Sequence, residues 1–131
     1  MSNGRDISDM KAAQIAKAWV NFNGLASNSP FTEDNGSIRS SLNVSSVVDN
    51  GTGDYTINFT TPFASKNYTY VGSAGEFETA SPNTSTPSPF ATRSAIFNAG
   101  SFRFYCCYSS TAAFGKLDRE VVSLVFYGEL S

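Results

Sequence analysis

Between residues 38 and 59 apolar side chains recur at alternate positions, broken once by a cluster of Asp, Asn and Gly. Ile38, Leu42, Val44 and Val48 fall on one side of an extended segment, and Tyr55, Ile57 and Phe59 on one side of the next. Between them, residues 49–54 (DNGTGD) tolerate positive φ or fold a short side chain onto the backbone, which predicts a β-hairpin. The same period of two runs through "AKAWVNFNG", with Ala18, Val20 and Phe22 on one face, Trp19 on the other and Gly24 closing the run. Residues 67–73, 90–98, 101–109 and 120–128 read as further strands, giving about seven in all. The expected fold is all-β, an antiparallel β-sandwich over residues 16–131.

Four segments depart from that period. Residues 7–18, "ISDMKAAQIAKA", have helical composition with Ser8 or Asp9 as N-cap, so residues 1–15 are expected to form a short helix or arm for attachment or oligomer contact. Residues 25–37 and the "FGKLDR" stretch have the composition of loop and turn. Residues 76–89 carry three prolines among Ser and Thr. Loops beyond roughly 12–15 residues are uncommon in a compact domain and often functional. The segment reads equally as a linker within the domain or as a binding loop, in which case Phe77, Glu78, Thr79, Asn83, Thr84, Ser85 and Thr86 are the candidate receptor contacts.

Several strands are apolar on both faces. Trp19 opposes Val20 and Phe22; Tyr105 and Cys107 oppose Phe102, Phe104 and Cys106; Val122, Leu124 and Phe126 oppose Val121, Val125 and Tyr127. Each sheet of a sandwich has one inner face, so apolar residues on both sides call for a second cover. Another subunit, the N-terminal helix or a folded-over loop would supply it; oligomerisation is the simplest of these, with Ile7, Met10, Trp19, Tyr105, Leu124 and Phe126 as the candidate attachment or oligomer contacts.

Charge narrows the field. The formal net charge is −2, with 15% charged residues and no Lys/Arg cluster, which argues against nucleic acid as a partner. No apolar run approaches the roughly 20 residues of a membrane span, and the N-terminal stretch lacks the pattern of a signal peptide, so synthesis in the cytoplasm is expected. Cys106 and Cys107 are neighbours and are expected to be buried free thiols, because their Cα atoms lie about 3.8 Å apart, short of ordinary disulfide geometry. The sequons at Asn43, Asn58 and Asn67 then read as strand and turn surface.

Chemistry is sparse. The chain has no His, no C-x-x-C, no nucleophile elbow, and no phosphate or dinucleotide loop. Asp49, Asp54, Glu76, Glu78, Asp118 and Glu120 are carboxylates at turn-like positions. No catalytic residue, cofactor or metal is expected.

"AKAWVNFNG", "IRSSLNVSSVVDNGTGDYTINFTTPF", "NYTYVG" and "VVSLVFYGEL" together resemble a module common in bacteriophage tail fibres, over about half of the chain and in the expected order. The resemblance implies a virion structural protein: a homotrimeric, β-rich module near a fibre tip, facing a bacterial surface glycan or protein. It carries over fold markers only: Trp19, Val20 and Phe22, the turn from Asn50 to Asp54, and Tyr55, Ile57 and Phe59. Two departures stand out, the "LASNSPFTED" insertion and the absence of a preceding shaft. They bring in an alternative, a small capsid-decoration or tail-adaptor protein that docks on other virion proteins through its N-terminus and has no receptor role.

Overall fold

Asn43 turns a corner that the alternating pattern does not announce. In the computed structural model, which describes residues 15–75, 95–109 and 114–131, Asn43 has a φ of 56°. Asn tolerates this left-handed conformation better than most residues because its side chain bonds locally. Its Oδ1 accepts from the Thr61 amide at 2.6 Å and its Nδ2 donates to the Thr61 carbonyl at 3.0 Å. The extended segment expected from Ile38 to Val48 is therefore two strands in two different sheets, β2 (Ile38–Leu42) and β3 (Val44–Gly51).

Preceding them is β1 (Ala16–Phe22); β4 (Asp54–Phe59), β5 (Thr69–Gly75), β6 (Ile96–Phe97), β7 (Ser101–Tyr105), β8 (Cys107–Ser109), β9 (Phe114–Lys116) and β10 (Val121–Tyr127) follow. The first sheet has the order β2-β1-β10-β5 and the second β3-β4-β7-β6, antiparallel throughout, while β8 and β9 form a small hairpin. The all-β sandwich is as expected. The count of seven is exceeded because the corner splits one strand, Cys106 divides another, and part of "FGKLDR" pairs as β9. The predicted N-terminal helix or arm, with Ile7 and Met10, and the 76–89 loop with Phe77 to Thr86 lie outside the described residues.

Strand alternation fills the space between the sheets. Ala18, Val20, Phe22, Val122, Leu124 and Phe126 of the first sheet meet Val47, Tyr55, Ile57, Phe59, Phe102 and Phe104 of the second. Phe126 lies 5.0 Å from Phe59 and 5.3 Å from Phe102, ring centre to ring centre, both edge to face, the arrangement that ring quadrupoles favour. Val47 points inward, not Val48, because the corner and a register shift between Val44 and Ser46 reset the phase of the strand. The 25–37 loop sends Phe31 into the core, and Phe31 exchanges two backbone hydrogen bonds with Val47. Asn35 braces that loop, accepting from the Thr32 and Ser37 amides and donating to the Asn28 and Pro30 carbonyls.

Candidate functional site: the outer face of the first sheet

Register lines up one apolar row across the outside of the first sheet. Trp19 of β1 stands opposite Leu42 of β2 on one side and Val125 of β10 on the other, and Val125 stands opposite Val71 of β5. Leu42 is 46% and Val71 60% exposed, whereas Trp19 and Val125 are half-buried. Beside this row runs a polar one, Ser40, Asn21, Ser123 and Ser73, aligned by the same pairings. Between the rows lies a shallow depression of about 290 Å³, lined by Trp19, Asn21, Val71, Ser73, Ser123 and Val125 with the backbone beneath. Arg39 fixes one wall: it donates to Asn21 Oδ1 at 3.1 Å and to the Glu120 carbonyl at 2.8 Å.

The second sheet is dressed differently. Its outward positions are mostly polar, Ser46, Thr56, Asn58, Ser101 and Arg103, with Val48 and the 50% exposed Ile96 beside them. Tyr105 belongs to this outer face, where the Lys116 ammonium sits 4.7 Å from its ring centre, a cation–π contact within the chain. Trp19 and Tyr105 therefore lie on opposite sheets and do not form one patch. Leu124 and Phe126 are corrected as contacts: both are core residues, 3% and 0% exposed, and the outward residues of their strand are Val125 and Tyr127. Leu42 and Val71 were missed as members of the outer row. Leu42 shares its period with Ile38 and Val44, but the register shift that leaves Arg39 as an extra residue between Ile38 and Ser40 turns it outward, and the Asn43 corner then returns Val44 to the core.

The carboxylates serve the fold. Asp118 Oδ1 accepts from the Tyr55 hydroxyl at 2.6 Å and from the Gly53 amide at 2.7 Å, and the same hydroxyl lies 2.9 Å from the Gly24 carbonyl. Burial, aided by the hydrogen bond to Asp118, holds the Tyr55 phenol far above its usual range. Asp54 takes a bidentate grip from Arg103, at 3.0 and 2.8 Å, and this bond lowers its carboxyl below the usual value although burial opposes the shift. Asp49 caps the turn by accepting from the Gly51 amide at 2.9 Å. Glu76 and Glu78 lie outside the described residues.

Cys106 and Cys107 are buried free thiols, as expected, and burial pushes Cys106 up to about 11. Among the described residues no group of three His, Cys, Asp or Glu side chains is placed to hold a metal ion, and no helix is long and apolar enough to cross a membrane. Comparison with protein-family models, with curated proteins and with solved structures gives no match for this chain. What the described surface offers is a sheet face apolar enough to be covered.

Proposed function

We propose that this chain is a structural protein of a phage virion, a tail-fibre-like module that associates with copies of itself and takes part in attachment to a host surface. The observation that carries the self-association is the continuous Leu42–Trp19–Val125–Val71 row across all four strands of one outer face, where the other sheet's outer face is mostly polar. A half-buried Trp flanked by exposed aliphatics marks a surface that gains by losing water, and large aromatics dominate the energetics of such contacts. The virion and tail assignment, and the homotrimer, are supported by the likeness of the four quoted segments to tail-fibre modules. Several weak surface contacts acting together would raise avidity by roughly 10² to 10⁴ where geometry permits. The role proposed is binding, not catalysis: Asp49, Asp54 and Asp118 are each engaged in holding turns and strand ends.

Antibody labelling of purified virions, viewed by electron microscopy, tests the reading. Label at the distal end of the tail is the expected result. Label on the capsid shell or at the tail base would favour the decoration or adaptor role, and particles without the chain would overturn both.

A further inference from the structure

The sequence contains four Asn-Gly steps, Asn3–Gly4, Asn23–Gly24, Asn35–Gly36 and Asn50–Gly51, of which the first lies outside the described residues. Such a step carries its own chemistry. The glycine nitrogen, with no Cβ beside it to block the approach, can attack the side-chain amide of the preceding Asn and close a five-membered ring. The fold decides whether it does, because the amide carbon must swing onto that nitrogen and the nitrogen must have somewhere to lose its proton.

At Asn35 the side chain is held at both ends. Its Oδ1 accepts from the Thr32 and Ser37 amides at 3.1 Å each, and its Nδ2 donates to the Pro30 carbonyl at 2.9 Å and the Asn28 carbonyl at 3.2 Å, so these bonds must break before the amide turns. The Gly36 N–H donates to the Glu33 carbonyl, a neutral oxygen that takes no proton. At Asn23 the glycine is pinned instead. Gly24 is buried so close to the backbone of Arg119 that a Cβ would lie 2.5 Å from the carbonyl oxygen, and its own carbonyl accepts from the Tyr55 hydroxyl. Asn23 Oδ1 meanwhile caps the Leu25 amide at 2.9 Å.

Asn50 meets both conditions. It is exposed, and it is the extra residue of a bulge in β3, since Asp49 stands opposite Tyr55 and Gly51 opposite Asp54. Its side chain is held by the nitrogen, which donates to Thr56 Oγ1 at 2.8 Å and to Asp54 Oδ1 at 3.4 Å, and that nitrogen is the leaving group. The Gly51 N–H faces a carboxylate: it donates to Asp49 Oδ1 at 2.9 Å, within the reach of a general base.

We propose that Asn50–Gly51 is a self-modification site, the one Asn-Gly step among the described residues that converts while the chain stays folded. A bond forms between the Gly51 nitrogen and Asn50 Cγ as the Cγ–Nδ2 bond breaks. Asp49 takes the Gly51 proton and passes it to the departing nitrogen, which leaves as ammonia. Water then opens the ring on one side or the other, giving aspartate or isoaspartate at position 50. Either product adds a negative charge to a turn that already holds Asp49 and Asp54, and loses the donor to Thr56. Isoaspartate also adds a carbon to the backbone at the tip of the β3–β4 hairpin, the tip that Asp118 holds through Gly53. The folded chain thus ages first at that tip.

The test is site-by-site peptide mapping, by mass spectrometry, of the full chain aged at neutral to mildly alkaline pH, with the same chain aged in urea as reference. Unfolded, the three described steps should convert at comparable rates, each being the same dipeptide. Folded, Asn50 should stay within a few-fold of its unfolded rate, whereas Asn23 and Asn35 should slow by about tenfold or more, because their bonds must open first. Asp49→Asn keeps an oxygen for the Gly51 amide but removes the charge, so it should slow conversion at Asn50 several-fold in the folded chain and leave the rate in urea unchanged. The comparison of folded with unfolded parent chain decides the site even if this variant fails to fold. Conversion of Asn50 no faster than that of Asn35 in the folded chain would overturn the site. Equal folded rates in Asp49→Asn and the parent would overturn the part given to Asp49.

Discussion

The hydroxyl of Tyr55 reaches Asp118 across 2.6 Å, tying the second sheet to the segment that leads into β10 of the first. Because Asp118 also takes the Gly53 amide, one carboxylate oxygen holds both the core and the tip of the β3–β4 hairpin. Gly53 is required there. Its φ is +62°, and a Cβ would come within 2.5 Å of the Cys106 carbonyl oxygen. Removing the Tyr55 hydroxyl strips a donor from Asp118 while leaving the ring in place. Tyr55→Phe is expected to cost about 1–3 kcal/mol, read as a lower urea midpoint at unchanged slope.

At the corner, Asn43→Val should be at least as harmful. A β-branched residue does not settle at a φ of 56°, and both side-chain bonds to Thr61 disappear. A loss of roughly 2–4 kcal/mol is expected from strain and hydrogen bonds together. Asn43→Gly, which removes the bonds but accepts the backbone, should recover part of it in the same denaturation assay.

These two sites show how far the sequence could be read. Alternation located β1, the β3–β4 hairpin, β7 and β10, although in β3 a register shift between Val44 and Ser46 turns Val47 inward in place of Val48. It misplaced Leu42 because a bulge at Arg39 and a corner at Asn43 each reverse the phase without leaving a Gly or Pro as a marker. It placed Leu124 and Phe126 among the outward contacts because a strand apolar on both faces gives no sign of which set points inward. The register against β1 and β5 decides that, and register is a long-range property. The outer row was legible only through Trp19; Val71 and Leu42 join it through pairings that a single strand does not encode.

The Asp54–Arg103 pair makes stability depend on pH in a defined direction. Arg103 holds the Asp54 carboxyl below its ordinary value of 3.8 in the folded chain, so the pair's contribution is fully present above that value. It is lost as pH falls through the lower, folded value. Arg103→Met should therefore reduce stability at neutral pH, and the gap between variant and parent should close below about pH 4, where the unfolded carboxyl binds its proton. A gap constant down to strong acid would show that the ion pair adds nothing. The effect is expected to be modest, because the Arg103 side chain is 41% exposed.

Inner and outer aromatics should differ in what their loss does. Phe126 is fully buried among rings, and Phe126→Ala is expected to cost about 3–5 kcal/mol in thermal or urea unfolding. Trp19 is half-buried on the outside, so Trp19→Ala should cost less than about 3 kcal/mol in an isolated chain. Its larger effect should fall on association, seen as a lower sedimentation coefficient at equal concentration.

Trp19 is the only tryptophan in the chain, so its fluorescence reports on the outer face of the first sheet and on nothing else. The most direct measurement is quenching of that fluorescence by acrylamide across a dilution series, with sedimentation followed in parallel. If this face is covered by another copy, emission is blue-shifted and shielded in the associated species, and both properties are lost together as the chains separate. A tryptophan equally open to quencher at every concentration, in a chain that sediments as a monomer or in an oligomer that leaves it exposed, would contradict the account.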